Sequence, residues 1–465
     1  MMRILALDQG TTSTRGLVVD TQGHHQAVFA ARHKQYFPAL DRVEHDPLEI
    51  VGHLRQAIAA AGPVDAIALS NQGESCLAWD AQTGEALSPI LVWQDRRSEA
   101  RLAQMRDVAD MVRARSGLPL EPYFAAGKLG WLMQQPRVQA AHRSGRLRLG
   151  TTDAFFLQVL GDQGQALTDV STASRSSLMN LAGGQWDRDL CQVFGVPIEC
   201  LPPILPSVAQ FATIADVPVT ANIVDQQAAL YGHGCRRMGQ AKMTFGTGAF
   251  ALALAKDCAA PPGGLVPTIA WHLPGDAPCY AREGGVHAAG AAVEWAMRIG
   301  LLDGPEALHT FDQPPAIDRG LVFVPALSGL ACPHWDGDAA GLFIGMTGGT
   351  TRADMAQALV EGIALRAAEV LGQMGSLDQV SVDGGLSRSS YLVQFLADQI
   401  GADVVVPAVD ELTGYGAAQL AALGKGGVIP NAEIAARVLP RAVDRAGRMA
   451  RFQDALARAK GWNAP

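Results

Sequence analysis

A chain of 465 residues exceeds what one compact core holds, since domains run to roughly 100–200 residues, so two large halves are expected. Its 48% hydrophobic and 18% charged residues, with 50 glycines, describe a globular α/β protein rich in tight turns and exclude extended disorder. A net charge of −8, without a basic stripe interleaved with aromatics, excludes nucleic acid as an expected partner. The seven cysteines are scattered, odd in number and never spaced C-x-x-C, which argues against a disulfide framework or structural zinc and suits a reducing cytoplasm. No signal-peptide pattern opens the chain and no apolar run approaches the roughly 18 residues of a membrane span, so no membrane insertion is expected.

Residues 4–20 read ILALDQGTTSTRGLVVD: an apolar strand ending on Asp8, a Gly/Thr/Ser turn, then a second alternating strand. A carboxylate at a strand end offers a hard oxygen to Mg²⁺, and Gly10, Thr11 and Thr12 offer backbone N–H groups and hydroxyls to phosphate oxygens, with Arg15 adding positive charge. An ordinary polar hairpin turn needs only Gly10 and leaves the Thr-Thr-Ser-Thr run unexplained. Residues 27–31 predict a third strand, and residues 46–61 carry helical spacing that stops at Gly62-Pro63. The short apolar runs 66–69 and 90–93 end in Ser70-Asn71-Gln72-Gly73-Glu74 and Gln94-Asp95-Arg96-Arg97, so polar groups gather at strand ends, the ligand-facing position of α/β sheets. Residues 98–116 and 127–135 read as helices, the second carrying Lys128 and Trp131.

Prolines punctuate the middle of the chain before residues 223–227, where an apolar run again ends on acid and amide groups, Asp225 and Gln226. Residues 242–256, KMTFGTGAFALALAK, repeat the plan of the opening hairpin, which predicts a duplicated phosphate loop, one per half. Residues 353–372 place Met355, Leu359, Ile363, Ala367 and Leu371 on one helix face capped from Thr351. A strand at 380–385 enters the Gly384-Gly385 turn and a helix near Ser389 turns Leu392, Phe395 and Leu396 inward, a plausible nucleotide shelf. The arginine-rich segment from Arg437 to Lys460 is expected as a solvated terminal helix.

Gly246-Thr247-Gly248-Ala249-Phe250-Ala251 formally satisfies the dinucleotide fingerprint, but that fingerprint demands a helix after the glycines and here the residues alternate as a strand. The chain also lacks G-x-x-x-x-G-K-[ST], which removes the P-loop class. What remains is a nucleotide site assembled from two hairpin turns and a double-glycine turn.

This combination resembles the sugar-kinase, hexokinase and actin superfamily and, at finer grain, the FGGY carbohydrate kinases, with glycerol kinases nearest in motifs. The resemblance runs in order through LALDQGTTSTR (5–15), VEHDPLEI (43–50), SNQGES (70–75), VWQDRR (92–97), LPLEPYF (118–124), GKLGWL (127–132), TASRSSLMN (172–180), DQQAALYG (225–232), FGTGAF (245–250), GLACPHWD (329–336) and VDGGLSRSSYLVQF (382–395). It implies an α/β fold of two actin-like ATPase (ribonuclease H-like) domains, residues 1–232 on the polyol side and 233–465 on the nucleotide side, with an interdomain active-site cleft. It implies ATP and Mg²⁺, a small polyol or sugar as acceptor, and compatibility with a homo-oligomer.

By the same resemblance Asp8 organises Mg²⁺; Thr11, Thr12, Arg15, Gly246, Thr247 and Gly248 meet the ATP phosphates; and Gly290, Glu294, Gly384, Gly385 and Ser389 line the adenosine site. Asp225 corresponds to the catalytic base, and Glu74, Trp93, Tyr123, Asp225, Gln226 and Phe250 to the polyol pocket. An N-cap role for Asp225 is compatible with that of a base. The chain departs from glycerol kinases at Gly73, where they carry arginine, so a cationic donor is missing and empty volume is expected beside Glu74. That leaves open a longer or substituted polyol or a keto-sugar, or a water or another arginine filling the gap. It also lacks a Gly-Gly-Thr-Arg loop before Asp225, from which insensitivity to fructose 1,6-bisphosphate is expected. A non-catalytic ATP-binding sensor of the same fold is the rival outside enzymes, disfavoured by the retention of Asp8, Glu74, Asp225 and Thr247.

Overall fold

The computed structural model describes residues 1–261 and 263–464. Strand β1 (Arg3–Gln9) turns at residues 10–12 into the antiparallel β2 (Ser13–Asp20), with Asp8 opposite Arg15, and β3 (His25–Arg32) completes the meander. β1 is buried on both faces because alternate residues serve two cores. Leu5 and Leu7 pack with Ile67 and Leu69 beneath helix α1 (Pro47–Ala60), while Ile4 and Ala6 join Leu17, Ala66 and Ala68 on the other side. α1 starts where the sequence places it: Asp46 accepts from the Leu48 N–H at 2.8 Å, Pro47 occupies the first turn, and Gly62 (φ 64°) follows its last residues.

Strand β4 (Ala66–Asn71) lies parallel to β1. The insertion after it supplies Ile90–Leu91, Cys76–Asp80 and Leu147–Thr151 to a five-stranded sheet completed by Gln35–Tyr36 and Glu44–His45 from before it, and also holds helix α2 (Ala125–Leu132). β5 (Val208–Ile214) and β6 (Val217–Val224) close the first large sheet in the order β5-β6-β4-β1-β2-β3. Only Ala215 and Asp216 join them, both at positive φ (48° and 66°), the geometry of the tightest hairpin turn. Helix α3 (Asp225–Gly232) follows β6 without a loop.

The second sheet repeats the plan. β7 (Gln240–Phe245), β8 (Ala249–Ala255), β9 (Val266–Trp271) and β10 (Cys279–Val286) precede helices α4 (Gly290–Arg298) and α5 (Arg352–Gly372). Then come β11 (Gln379–Gly384), α6 (Ser390–Ile400), β12 (Asp403–Pro407), α7 (Leu412–Gly424), β13 (Ile434–Val438) and α8 (Arg445–Ala459). Its order is β9-β10-β8-β7-β11-β12-β13, so β7 stands to β8 and β11 as β1 stands to β2 and β4, antiparallel on one side and parallel on the other. The duplicated loop read from the sequence is thus one hairpin turn per sheet.

Helix α7 crosses back onto the first sheet. Leu412, Tyr415, Ala417 and Leu420 share a core with Ile4, Ala6, Ala66, Ala68 and the α3 residues Ala228 and Leu230, and that core takes in Leu252 and Ala281 of the second sheet. α3 and α7 meet backbone to backbone: a Cβ on Gly232 would lie 2.1 Å from the Leu412 carbonyl oxygen, and one on Gly416 would lie 2.0 Å from that of Ala228. Only glycine permits this approach.

Two expectations change. Residues 98–116 form three pieces, Glu99–Ala103, a 3₁₀ turn at Arg106–Val108, and Ala109–Ser116, whose only fully buried residues are Leu102, Val112 and Ser116, too sparse a stripe to anchor one continuous helix. The second changes at one residue: of the C-terminal arginines Arg437, Arg441, Arg445, Arg451 and Arg458 are exposed as expected, while Arg448 is buried against Asp318 at 2.8 Å and Phe452 and Leu456 seat α8 on the second core.

α5 begins with a reciprocal cap. Asp354 accepts from the Thr351 N–H at 2.9 Å and Thr351 from the Asp354 N–H at 3.2 Å, while Arg319 reaches Asp354 at 2.6 Å. The Thr351 hydroxyl and N–H, with Arg319, hold the Asp354 carboxyl down at about 2. Because this lies below its ordinary value, the stabilisation is complete above about pH 4 and fades as pH falls towards 2. Asp354→Asn is expected to lower stability to urea by about 1 kcal/mol at pH 7, a gap that narrows below about pH 4. Identical neutral-pH midpoints would contradict the cap's contribution.

Candidate active site

β6, β4 and β1 are adjacent parallel strands, so their carboxyl ends lie side by side. β1 brings Asp8, β4 leads into Glu74, and β6 runs directly into Asp225, which gathers three acids at one edge of the sheet. The Ser70 hydroxyl approaches Asp8 at 3.4 Å; burial and the Glu411 charge push Asp8 up to about 6. Asp225 is the first residue of α3, with Val224 at the cap position, so it does not cap the helix as its place in the sequence allows. One carboxylate oxygen accepts from the Gln226 N–H at 2.6 Å, and burial together with Asp8 pushes it up to about 7. Glu74 is buried at φ 60°, a strained conformation for a residue with a side chain. Burial pushes it up to about 7 against the opposing charge of Arg175, whose Nε donates to it at 2.6 Å.

The aromatic wall is fixed by polar anchors. Trp93 Nε1 donates to Thr11 Oγ1 at 2.9 Å, tying the pocket to the first loop, and its ring meets Tyr123 edge-on with centroids 5.5 Å apart. Tyr123 is held from behind by Lys128, whose ammonium donates to the carbonyls of Pro122 (2.9 Å), Tyr123 (2.7 Å) and Phe124 (3.1 Å). Asp95 and Arg97, on the stretch following Trp93, pair with each other at 2.8 Å, and Arg97 also reaches Glu44 at 2.6 Å, so their polarity serves structure.

In the second half, Gly290 N–H donates to the Gly246 carbonyl at 2.9 Å and Ala289 N–H to that of Thr247 at 3.1 Å, so the start of α4 props the 246–248 turn. Thr247 and Glu294 are exposed. Gly384 (φ 87°) lies against β7, where a Cβ would come within 2.3 Å of the Phe245 carbonyl oxygen, whereas Gly385 borders open space. In β7, β8 and β10 the register puts Lys242, Thr244, Phe250 and Glu283 on one sheet face.

Several expected ligands hold internal partners. Arg15 is bound by Glu411 at 2.7 and 2.5 Å, Gln226 accepts from Lys242 at 2.5 Å, and the Ser389 hydroxyl donates to the Leu308 carbonyl at 2.5 Å while capping α6. Thr12 is exposed. The space beside Gly73 is bordered by neighbours: a Cβ there would sit 3.2 Å from Val224 Cγ1 and 3.9 Å from Arg175 Cγ. Arg175 and Glu283, joined at 2.8 Å, were not assigned roles from sequence. Their signals were an arginine inside the TASRSSLMN motif and an acid before a Gly-Gly pair in an apolar strand.

Repeated halves with strand-end carboxylates at their junction are the architecture of a two-domain carbohydrate kinase. Residues 3–232 match the N-terminal domain of the FGGY family of carbohydrate kinases and residues 241–424 its C-terminal domain. The chain belongs to this family. It is 41% identical to the glycerol kinase of Alkalilimnicola ehrlichii and 38% identical to that of Thermus brockianus, each match covering 99% of both chains. The fold matches Plasmodium falciparum glycerol kinase with ADP at a TM-score of 0.90 and 28% identity, over 99% of this chain and 98% of that one. It matches the xylulose kinase of Lactobacillus acidophilus at 0.85 and 20% identity, over 99% and 97% of the two chains, a likeness of fold alone.

A Cβ on Gly290 would lie 2.5 Å from the Gly246 carbonyl oxygen. Gly290→Ala therefore displaces the second turn and is expected to weaken binding of a non-hydrolysable ATP analogue about ten-fold by calorimetry. Unchanged affinity would separate this turn from nucleotide binding.

Proposed function

We propose that this enzyme transfers the γ-phosphoryl group of ATP to a hydroxyl of glycerol, forming glycerol 3-phosphate. The observation that carries the reading is Asp225, a recessed carboxylate pushed up to about 7 beside Asp8, on the turn-free junction of β6 and α3. A base poised near the working pH is what proton removal from an alcohol needs. The likeness to glycerol kinases over 99% of both chains favours glycerol among possible acceptors.

In this reading the acceptor oxygen forms its bond to the γ-phosphorus as the bond to the ADP oxygen breaks, and the hydroxyl proton passes to Asp225. Glu74 accepts from a second hydroxyl, while Trp93, Tyr123 and Phe250 cover the carbon skeleton and exclude water. Thr11, Thr12, Arg15 and the 246–248 turn receive the phosphates; Gly290, Glu294, Gly384, Gly385 and Ser389 border the adenosine. Among the described residues no group of three or more His, Cys, Asp or Glu side chains is gathered for a metal. That suits Mg²⁺, which typically takes one or two carboxylates plus substrate phosphates and water. Asp8 fits it, a recessed carboxylate at the strand end whose side-chain donor is the 3.4 Å Ser70 hydroxyl. The ion would supply charge neutralisation on the phosphates. The seven free cysteine thiols suit a reducing cytoplasm, and no helix among the described residues is long and apolar enough to cross a membrane.

A coupled ADP-release assay with glycerol, tetritols, pentitols and ketoses tests the acceptor: glycerol is expected to give the highest kcat/KM, and activity confined to a ketose would overturn the choice. Asp225→Asn is expected to cut kcat by about 10²–10⁴ while leaving ATP-analogue affinity intact, and near-normal turnover would remove the base assignment. Because two residues alone connect β5 to β6, fructose 1,6-bisphosphate at physiological concentration is expected to leave the rate unchanged; clear inhibition would contradict this.

A further inference from the structure

Three buried cations stand around the polyol pocket. Lys128 is committed to the carbonyls of Pro122, Tyr123 and Phe124, and Lys242 donates to Gln226 and Thr244. Arg175, 2% exposed, donates through Nε to Glu74 at 2.6 Å and through Nη2 to Glu283 at 2.8 Å. Its Nη1 is buried and has no hydrogen-bond partner among the described residues. A charged donor enclosed without an acceptor is unfavourable; Arg42, Arg282, Arg366 and Arg448 also carry one such nitrogen each, but of the five Arg175 is the one hydrogen-bonded to Glu74.

The guanidinium is also held in place. Glu74 from the first half and Glu283 from the second fix two of its nitrogens, and it lies over the Phe124 ring at 5.5 Å. Its Cγ stands 3.9 Å from where a Gly73 side chain would begin, in ordinary contact, and Val224 Cγ1 stands 3.2 Å from the same point. Glycine leaves position 73 without a cation, and the cation beside it comes from Arg175.

We propose that Arg175 is a substrate-binding residue whose Nη1 donates to one hydroxyl of the bound polyol, the cationic contact that Gly73 does not supply; this rests on the polyol-kinase reading above. Glu74 and Arg175 then act as a pair, one accepting from a hydroxyl and the other donating to a hydroxyl of the same substrate. Glu283 makes the donor's position depend on both halves of the molecule.

Arg175→Lys keeps a buried positive charge for the two acids but removes the spare nitrogen. The full-length wild type and variant are compared by steady-state kinetics on glycerol, 1,2-propanediol and 1,3-propanediol, with ATP-analogue affinity measured alongside. The expected result is a rise in KM for glycerol of about ten- to a hundred-fold with unchanged nucleotide affinity, and convergence of the two enzymes on the diol lacking the contacted hydroxyl. An unchanged KM, or an equal rise on all three alcohols, overturns the assignment. Should the lysine variant not fold, Glu283→Gln loosens the same guanidinium and is expected to raise KM for glycerol about three- to ten-fold; no rise overturns the assignment. If the wild type is inert towards glycerol yet turns over another polyol, the choice of acceptor fails while the same comparison on that polyol, against its deoxy analogues, still decides Arg175. A wild type that turns over no polyol overturns both.

Discussion

The molecule depends on the crossing of α3 and α7, where Gly232 and Gly416 bring two helix backbones into direct contact. The helices lie in the core shared by the two large sheets, so their separation sets how closely the halves approach. A Cβ at either glycine would meet a carbonyl oxygen near 2 Å and push them apart. α3 also carries Asp225 at its first position, directly after β6. The crossing therefore locates the carboxylate at the ends of the parallel strands, next to Asp8, and near Lys242 and Glu283 of the second sheet.

Around that point the protein concentrates charge in a way that opposes stability. Asp8, Glu74 and Asp225 are all pushed up, chiefly by burial, and Glu74 also adopts a left-handed backbone. Arg175 and Lys242 compensate, and the pairings Arg175–Glu283 and Lys242–Gln226 join the first half to the second. Strain and perturbed acids concentrated at one place are the mark of a reacting centre more than of a core. Away from it the acids serve ordinary ends, as Asp46 and Asp354 do at their helix starts.

Much of this was legible in the sequence because it is local. Helical spacing from residue 46 to the stop at Gly62-Pro63, Thr351 as a cap, and alternating apolar residues around the two Gly/Thr turns placed α1, α5 and both hairpins within a residue or two. What escaped depends on distant partners. α7 is almost uniformly apolar or small, so nothing in its letters says which sheet it will cover, and it crosses to the first. Arg175 and Glu74 lie 101 residues apart and meet only when the sheet edge forms. Ser389 and Arg15 occupy motif positions matching nucleotide ligands, yet Leu308 and Glu411, remote in sequence, hold their side chains here. Gly73 promised open space because its neighbours there, Val224 and Arg175, are remote in sequence.

In the proposed reading, carboxylates at strand ends, an aromatic wall tied to the first turn and a glycine-built second turn move a phosphoryl group to an alcohol instead of to water. Phosphorus NMR of the wild type with ATP, Mg²⁺ and glycerol tests this most directly. A phosphomonoester resonance growing in step with ADP is the result this account predicts. Inorganic phosphate in its place, or ATP left intact, would contradict it.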